Sequence, residues 1–164
     1  MKTSALYLRS IIFGINDSLV STVGLLAGIS VAGVPRSTIA LTGIVYAFVE
    51  GFSMAAGDFI SEESAEEYAS GAGVNTRPSL VSAIVMFVSF VIASLVPLVP
   101  YLLFSAGTAL VVSVSASVIA LFVVGLVSAR LSHLPVVWRG ARMALLGGAA
   151  IVMGVIVGSI VPAA

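Results

Sequence analysis

The chain of 164 residues has no cysteine and very little charge. The absence of cysteine excludes disulfides, thiolate metal sites and cysteine catalysis. Charged residues make up 9% of the sequence, whereas an ordinary soluble domain carries about 25%. The net charge is zero, so no general basic surface for nucleic acid is expected. Motifs of phosphate-binding loops, serine hydrolases and zinc proteases are also missing, and we therefore expect no enzyme.

The sequence consists largely of long apolar runs. The chain is 60% hydrophobic with a mean hydropathy of +1.22, which is typical of an integral membrane protein. A membrane-spanning helix needs about 20 mostly apolar residues, and five stretches meet this length. We predict an all-α, five-helix transmembrane domain over 1–164, with Pro97 and Pro100 ending or kinking the third helix. The predicted helices lie at approximately 10–32, 38–60, 79–99, 105–129 and 142–161.

Basic residues predict how these helices are oriented, because cytoplasmic loops carry an excess of Lys and Arg. Five spans place the two termini on opposite sides of the membrane. With a cytoplasmic N-terminus, only Arg36 falls outside, and the C-terminus faces the outside or lumen. The acidic segment 61–67 then faces the cytoplasm. The basic residues on the cytoplasmic side are Lys2, Arg9, Arg77, Arg130, Arg139 and Arg142.

The acidic residues are concentrated in one segment, EGFSMAAGDFISEESAEE at 50–67, which holds six of the seven. The seventh, Asp17, lies inside the first apolar run. An ionisable residue at the membrane centre costs about 2.5–3.5 kcal/mol on insertion scales, and it normally faces a cavity, a partner or an ion pathway. Asp17 and Glu50 are predicted to be such residues.

The spacing of the segment predicts a metal pathway. Glu50, Met54, Asp58, Glu62 and Glu66 are each four residues apart, so they share one helix face. Counting from the predicted helix ends puts Asp17 and Met54 at a similar depth, about 9 Å below the inner surface. Carboxylates with a thioether suit Fe²⁺, Mn²⁺ or Co²⁺ better than Mg²⁺, and metal binding displaces protons. We predict metal ligands at Asp17, Glu50, Met54 and Asp58, and a cytoplasmic entry at Glu62, Glu63, Glu66 and Glu67.

Other interpretations of these residues stay open. The four glutamates could form a solvated helix end, Met54 could serve packing, and Asp17 or Glu50 could be a structural hydrogen-bonding residue. His133 is a weaker candidate ligand. Two GxxxG pairs could be tight helix contacts, a dimer face or ordinary membrane glycines. The pairs are Gly24 with Gly28 and Gly154 with Gly158.

Two segments also resemble a known family. FGINDSLVSTVGLLAG at 13–28 and EGFSMAAGDFISEESAEE at 50–67 are similar to the first-helix and second-helix signatures of the vacuolar iron transporter (VIT) family. The resemblance continues to the last predicted helix and covers essentially the whole chain. Further similar features are Pro78, PL at 97–98, ALFVVG at 120–125 and RGARMALLGG at 139–148.

The resemblance implies a five-helix, homodimeric carrier that moves Fe²⁺, and also Mn²⁺ or Co²⁺, out of the cytosol in exchange for protons. It implies no permanently bound cofactor. Asp17 and Met54 match transport-path positions, and Glu50 and Asp58 match acidic ones. Many members insert a helical cytoplasmic metal-binding domain after the second helix, but the segment between Glu67 and Pro78 is too short for it. A prokaryotic plasma membrane is expected, or a vacuolar membrane in a eukaryote.

Two other function classes remain as alternatives. A non-transporting membrane scaffold or partner subunit could use the acidic segment to dock a basic protein. A passive cation channel is less favoured, because the long uncharged helices offer no wide polar pore lining. Metal-dependent thermal stabilisation would distinguish a carrier from a scaffold.

Overall fold

The computed structural model describes residues 3–71, 73, 75–131 and 136–161. Across these residues all regular secondary structure is α-helical, and each of the helices is long and apolar enough to cross a membrane. The predicted fold class is therefore confirmed, and the chain is a multi-pass integral membrane protein. Its helices are α1 Thr3–Val31, α2 Arg36–Ser70, α3 Arg77–Leu103, α4 Ala106–Leu131 and α5 Val136–Ile160.

The second helix continues well past its predicted end at residue 60. It runs through the acidic segment to Ser70, because Glu and Ala are good helix formers and nothing in EESAEE interrupts the helix. Gly71 ends it in the left-handed conformation, at φ 65°, with its backbone N–H bonded to the Glu67 carbonyl. Since α3 begins at Arg77, only residues 71–76 connect the two helices. This connection has no room for an inserted helical domain.

The two prolines near the end of α3 lie inside the helix. Pro97 and Pro100 are both internal and do not end the helix, because α3 continues to Leu103, beyond its approximate predicted end at residue 99. The Ser113 hydroxyl of α4 donates a 2.7 Å hydrogen bond to the Pro97 carbonyl. This hydrogen bond links α4 to α3 at Pro97, and the helix continues past a residue type that commonly ends one.

The core is arranged around α1 and α3. Helix α1 contacts each of the other four helices, and α3 contacts α1, α2 and α4. Helix α1 exposes few large apolar side chains, whereas α2, α3 and α5 each turn many of them outward, such as Phe52, Ile92 and Ile160, as expected for surfaces that face lipid. One buried cluster contains Leu26, Ile39, Leu98, Tyr101 and Ala109, and a second contains Leu19, Ala93 and Leu121.

Glycines bring α1 and α5 into direct backbone contact. A Cβ atom added at Gly28 would lie 2.7 Å from the Gly154 carbonyl oxygen, and one at Gly158 would collide with the Gly28 carbonyl. A Cβ at Gly154 would likewise collide with the Gly24 carbonyl. The two GxxxG pairs therefore pack against each other within one protomer, which is the tight-contact interpretation. We call this contact the glycine seam.

The ends of the helices separate the charges. Arg9 near the start of α1 reaches Asp58 near the end of α2, and it shares a cavity with Arg139 at the start of α5. At the other end of the bundle, Arg36 donates a 2.8 Å hydrogen bond to the Phe104 carbonyl. This separation agrees with the alternating topology, while the side that faces the cytoplasm stays a prediction. Lys2 and His133 lie outside the described residues.

Candidate metal pathway

The two carboxylates predicted at mid-membrane belong to α1 and α2. Asp17 and Glu50 lie within electrostatic range of one another, and both act on the phenol of Tyr46. The Ser21 side chain interacts with the same phenol, and its hydroxyl donates a 2.6 Å hydrogen bond to the Asp17 backbone carbonyl. We call Asp17, Ser21, Tyr46 and Glu50 the deep cluster.

The carboxylates of the deep cluster have no compensating partner. Neither Asp17 nor Glu50 forms a side-chain hydrogen bond or ion pair with the part of the chain that the structure describes. Both side chains are only partly exposed. Two carboxylates that interact electrostatically and have no cationic partner among the described residues attract a positively charged ion. Among the described residues neither side chain acts as a structural hydrogen-bonding group, and a cation site at this pair stays a prediction.

A groove lies between α1 and α2 on the side of the acidic segment, with α3 contributing to its wall. Its volume is about 370 Å³. Met86 of α3 is buried there and brings a second thioether beside the predicted Met54. We call this cavity the outer groove, and its lining includes Arg9, Phe13, Ser53, Met54, Asp58 and Met86.

Asp58 lies in the outer groove but is fully engaged by protein groups. Arg9 Nη2 lies 3.0 Å from its Oδ1. The Ser82 hydroxyl donates to Oδ2 at 2.7 Å, and Ser10 Oγ lies 3.2 Å from the same oxygen. Because these partners belong to α1 and α3, the Asp58 carboxylate connects three helices near one end of the bundle.

Arg9 also reaches the first of the predicted entry glutamates. Its Nη1 lies 3.3 Å from Glu62 Oε2, so one guanidinium spans two carboxylates that are one helical turn apart. We call these contacts with Asp58 and Glu62 the Arg9 bridge. Glu63 is partly exposed, and Glu66 and Glu67 are exposed on the last turns of α2.

The helical face predicted from the four-residue spacing is present, since Glu50 through Glu66 all lie in the single helix α2. The predicted ligands nevertheless separate into two places. Asp17 and Glu50 lie in the deep cluster, whereas Met54 and Asp58 line the outer groove. Among the described residues, no three Asp, Glu, His or Cys side chains come together in a way that could hold a metal ion.

Two residues that lie beside the predicted ligands, Tyr46 and Met86, were missed from the sequence. Tyr46 precedes Glu50 by four residues, so extending the same spacing by one step would have found it. Met86 gave no signal, because a methionine in an apolar helix looks like any packing residue. Only the approach of α3 to α1, where the Met86 sulfur would lie 3.2 Å from a Cβ added at Gly14, brings it to the groove.

Comparison with known proteins gives one clear match. A family model described as the VIT family matches residues 8–77 and 69–159. The matched residues include the deep cluster, the outer groove and the Arg9 bridge. No curated protein matches the chain.

Proposed function

The chain belongs to the VIT family, whose members are membrane metal-ion transporters rather than enzymes, and we propose that it carries Fe²⁺, Mn²⁺ or Co²⁺ out of the cytosol in exchange for protons. The observation that supports this proposal most is a pair of carboxylates, Asp17 and Glu50, in the spanning parts of α1 and α2. They interact electrostatically, and neither has a side-chain hydrogen bond or ion pair among the described residues. Burying two negative charges without a cation is costly, so their presence needs a functional explanation.

A transported ion must bind and then leave, which suits an incomplete set of protein ligands. The deep cluster supplies two carboxylates and the hydroxyls of Tyr46 and Ser21, and no further acidic group joins them among the described residues. Water molecules can fill the remaining coordination positions. Such a site holds an ion less firmly than a structural metal centre with a complete shell of protein ligands.

The thioethers favour the softer divalent ions. Met54 lies one helical turn from Glu50 on the same face of α2, and Met86 lines the groove beside it. Sulfur ligands discriminate against Mg²⁺ and Ca²⁺, which prefer oxygen. We therefore propose that the methionines select the transported metal, while the carboxylates supply the charge that binds it.

Proton exchange follows from the same carboxylates. A metal ion binds the deprotonated form, so loading the site releases protons and unloading it takes them up. The repulsion between Asp17 and Glu50 is relieved by either a proton or a metal ion, which makes the two alternative occupants. A proton gradient across the membrane can then drive the metal in the opposite direction.

The proposed route starts at the exposed Glu66 and Glu67 and continues past Glu62 and Glu63. It passes Asp58 and Met54 in the outer groove and ends in the deep cluster. The glutamates raise the local concentration of cations at the entrance. The positive-inside rule assigns this end to the cytoplasm.

We propose that the carrier works as a homodimer surrounded by lipid, as the family resemblance implies. The outward apolar side chains of α2 and α5 suit either lipid or a second copy. Light scattering of the purified protein in detergent, corrected for bound detergent, measures the number of copies. A monodisperse monomer would contradict this part of the proposal.

Transport by purified protein in liposomes tests the function. Metal flux under an imposed proton gradient should be measured with Fe²⁺ and Mn²⁺, together with the change of internal pH. Asp17→Ala should abolish flux and leave expression and oligomeric state unchanged. Ser159→Ala, at an exposed position on α5, is the control that should transport normally. Absence of flux from the parent protein with either metal would overturn the proposal.

A scaffold with an acidic docking end is the second candidate, because Glu66 and Glu67 are exposed at the end of α2. Thermal unfolding in detergent distinguishes the two. A carrier should be stabilised by Mn²⁺ or Co²⁺ through ligand binding to its folded state, whereas a scaffold should not respond.

A further inference from the structure

We propose that Arg9 is the gating residue of the cytoplasmic entrance. Its guanidinium occupies Asp58 and Glu62 as a tethered cation, and it must leave them before a metal ion passes from the glutamates of α2 to the deep cluster. This inference rests on the transport function proposed above.

The position of the Arg9 bridge supports a gate. It crosses from α1 to α2 at the end of the outer groove nearest the acidic segment, with contacts of 3.0 Å to Asp58 and 3.3 Å to Glu62. An ion that enters beside Glu62 therefore meets a positive charge before it reaches Met54. With the bridge closed, the carboxylates that would receive the ion are already occupied.

Charge balance shows why a metal ion can open the bridge. Asp58 and Glu62 together carry two negative charges when ionised, and Arg9 neutralises one of them. A divalent ion neutralises both, so it competes with Arg9 for the same oxygens on favourable terms. A monovalent ion gains no such advantage, and the guanidinium with its fixed fork of donors retains the carboxylates against it.

Arg9 has a place to go when it is displaced. Its side chain is 50% exposed, whereas that of Asp58 is 2% exposed, so Arg9 is the partner that is free to move. It also lines a second cavity of about 430 Å³ on the other side of α1, bounded by α4 and α5. Asn16, Ser128 and Arg139 line the same cavity.

The second cavity also favours the return of Arg9. Arg139 places another positive charge there, and two guanidinium groups repel each other. Once the metal has passed to the deep cluster, Arg9 is therefore drawn back to Asp58 and Glu62. The gate needs no movement of a whole helix, only a change of side-chain rotamer at Arg9.

The absence of cysteine makes the gate directly measurable. Met86→Cys places a single thiol on the wall of the outer groove, behind the bridge, where the parent side chain is buried. A small positively charged thiosulfonate applied to purified protein should modify it slowly. Adding Arg9→Gln should raise the modification rate about tenfold, which corresponds to a closed state favoured by about 1.4 kcal/mol. An unchanged rate would overturn the proposal.

Two further variants keep this experiment decisive. Tyr68→Cys, at a position 95% exposed on α2, reports reagent reactivity and should be modified at the same rate with and without the Arg9→Gln substitution. Since Arg9→Gln leaves Asp58 unpaired and could unfold the protein, the pair Arg9→Gln with Asp58→Asn removes both charges together. Met86→Cys should again react about tenfold faster in this background if Arg9 closes the groove, and equal reactivity would overturn the gate.

Transport gives an independent second measurement. In liposomes, the Mn²⁺ concentration that half-saturates transport should fall several-fold in Arg9→Gln, because the ion no longer displaces a tethered cation. An unchanged value would contradict the competition between Arg9 and metal. A parent protein that moves no metal would overturn the proposed function. The thiol assay does not depend on transport, so it would still decide whether Arg9 closes the groove.

Discussion

Helix α1 has two contrasting sides. Towards α5, the glycine seam brings backbone against backbone without any charged group. Towards α2, the contact is a groove with the Arg9 bridge at one end and the deep cluster further in. The first side is held by close backbone packing, and the second by charged contacts that, in the proposed mechanism, an ion replaces.

This difference suggests that the two sides of α1 have different roles. In lipid, close approach of small residues is a main source of helix association, so the seam fixes the position of α1 and hence of Asp17. The α2 side can then open and close by side-chain movement while the helices stay in place. The following predictions test the contrast, from the largest expected effect to the smallest.

Gly28→Leu should disrupt the rigid side. Its Cβ would lie 2.7 Å from the Gly154 carbonyl oxygen, where no flexible side chain can move away. We expect a loss of stability of about 3 kcal/mol or more, seen as aggregation or a large fall in the unfolding temperature in detergent. Gly148→Ala on α5 is the matched control, because nothing lies within 4 Å of its added Cβ. Equal stability of the two variants would show that the seam does not support the fold.

Arg9→Gln should destabilise the α2 side by a smaller amount. It leaves the buried Asp58 carboxylate without its cation, which we expect to cost about 2–3 kcal/mol because Arg9 itself is half exposed. Adding Asp58→Asn should restore much of the loss, since no charge is then left unpaired. Thermal unfolding of both variants measures this, and a double variant less stable than the single one would contradict the bridge.

Met54→Leu should change the metal response while leaving the fold intact. Leucine has a similar volume, so the unfolding temperature without metal should shift little. Stabilisation by Co²⁺ should fall more than stabilisation by Mn²⁺, because Co²⁺ gains more from a sulfur ligand. Met153→Leu, at an exposed position on α5, is the control. If Co²⁺ stabilises Met54→Leu as much as it stabilises the parent protein, Met54 does not bind the metal.

Glu66→Gln should have the smallest effect. Glu66 is exposed and lies beyond the Arg9 bridge, so it attracts ions without holding them. We expect a modest fall in the transport rate at low salt that disappears near 0.15 M salt, where screening acts over about 8 Å. A loss that persists at high salt would show that Glu66 binds the metal directly.

Much of the fold could be predicted from the sequence. Long apolar runs indicate spanning helices because the bilayer core requires internally satisfied backbone hydrogen bonds. Helix ends were less predictable. The acidic end of α2 is polar enough to look like a loop but consists of good helix formers, and α3 continues through Pro97 and Pro100, residues that commonly end a helix.

The sequence singles out the residues of the candidate site but not their arrangement, and their role as metal ligands stays a prediction. The spacing along α2 correctly placed Glu50, Met54 and Asp58 on one helix face. It could not show that Asp17 lies with Glu50, while Met54 lies with Met86 and Asp58 is already bound by Arg9. A periodic pattern describes one helix, and these pairings depend on how separate helices meet.

The sequence by itself determined the membrane environment, the five spanning helices and the acidic face of α2. These follow from hydrophobicity and from a period of 3.6 residues, which are properties of single segments. Only the tertiary structure decided which charges stay unpaired. Asp17 and Glu50 interact electrostatically and have no cationic side chain as partner among the described residues, whereas Asp58 is bound by Arg9 of α1 and Ser82 of α3. That difference arises because partners far apart in the chain meet only when the helices pack.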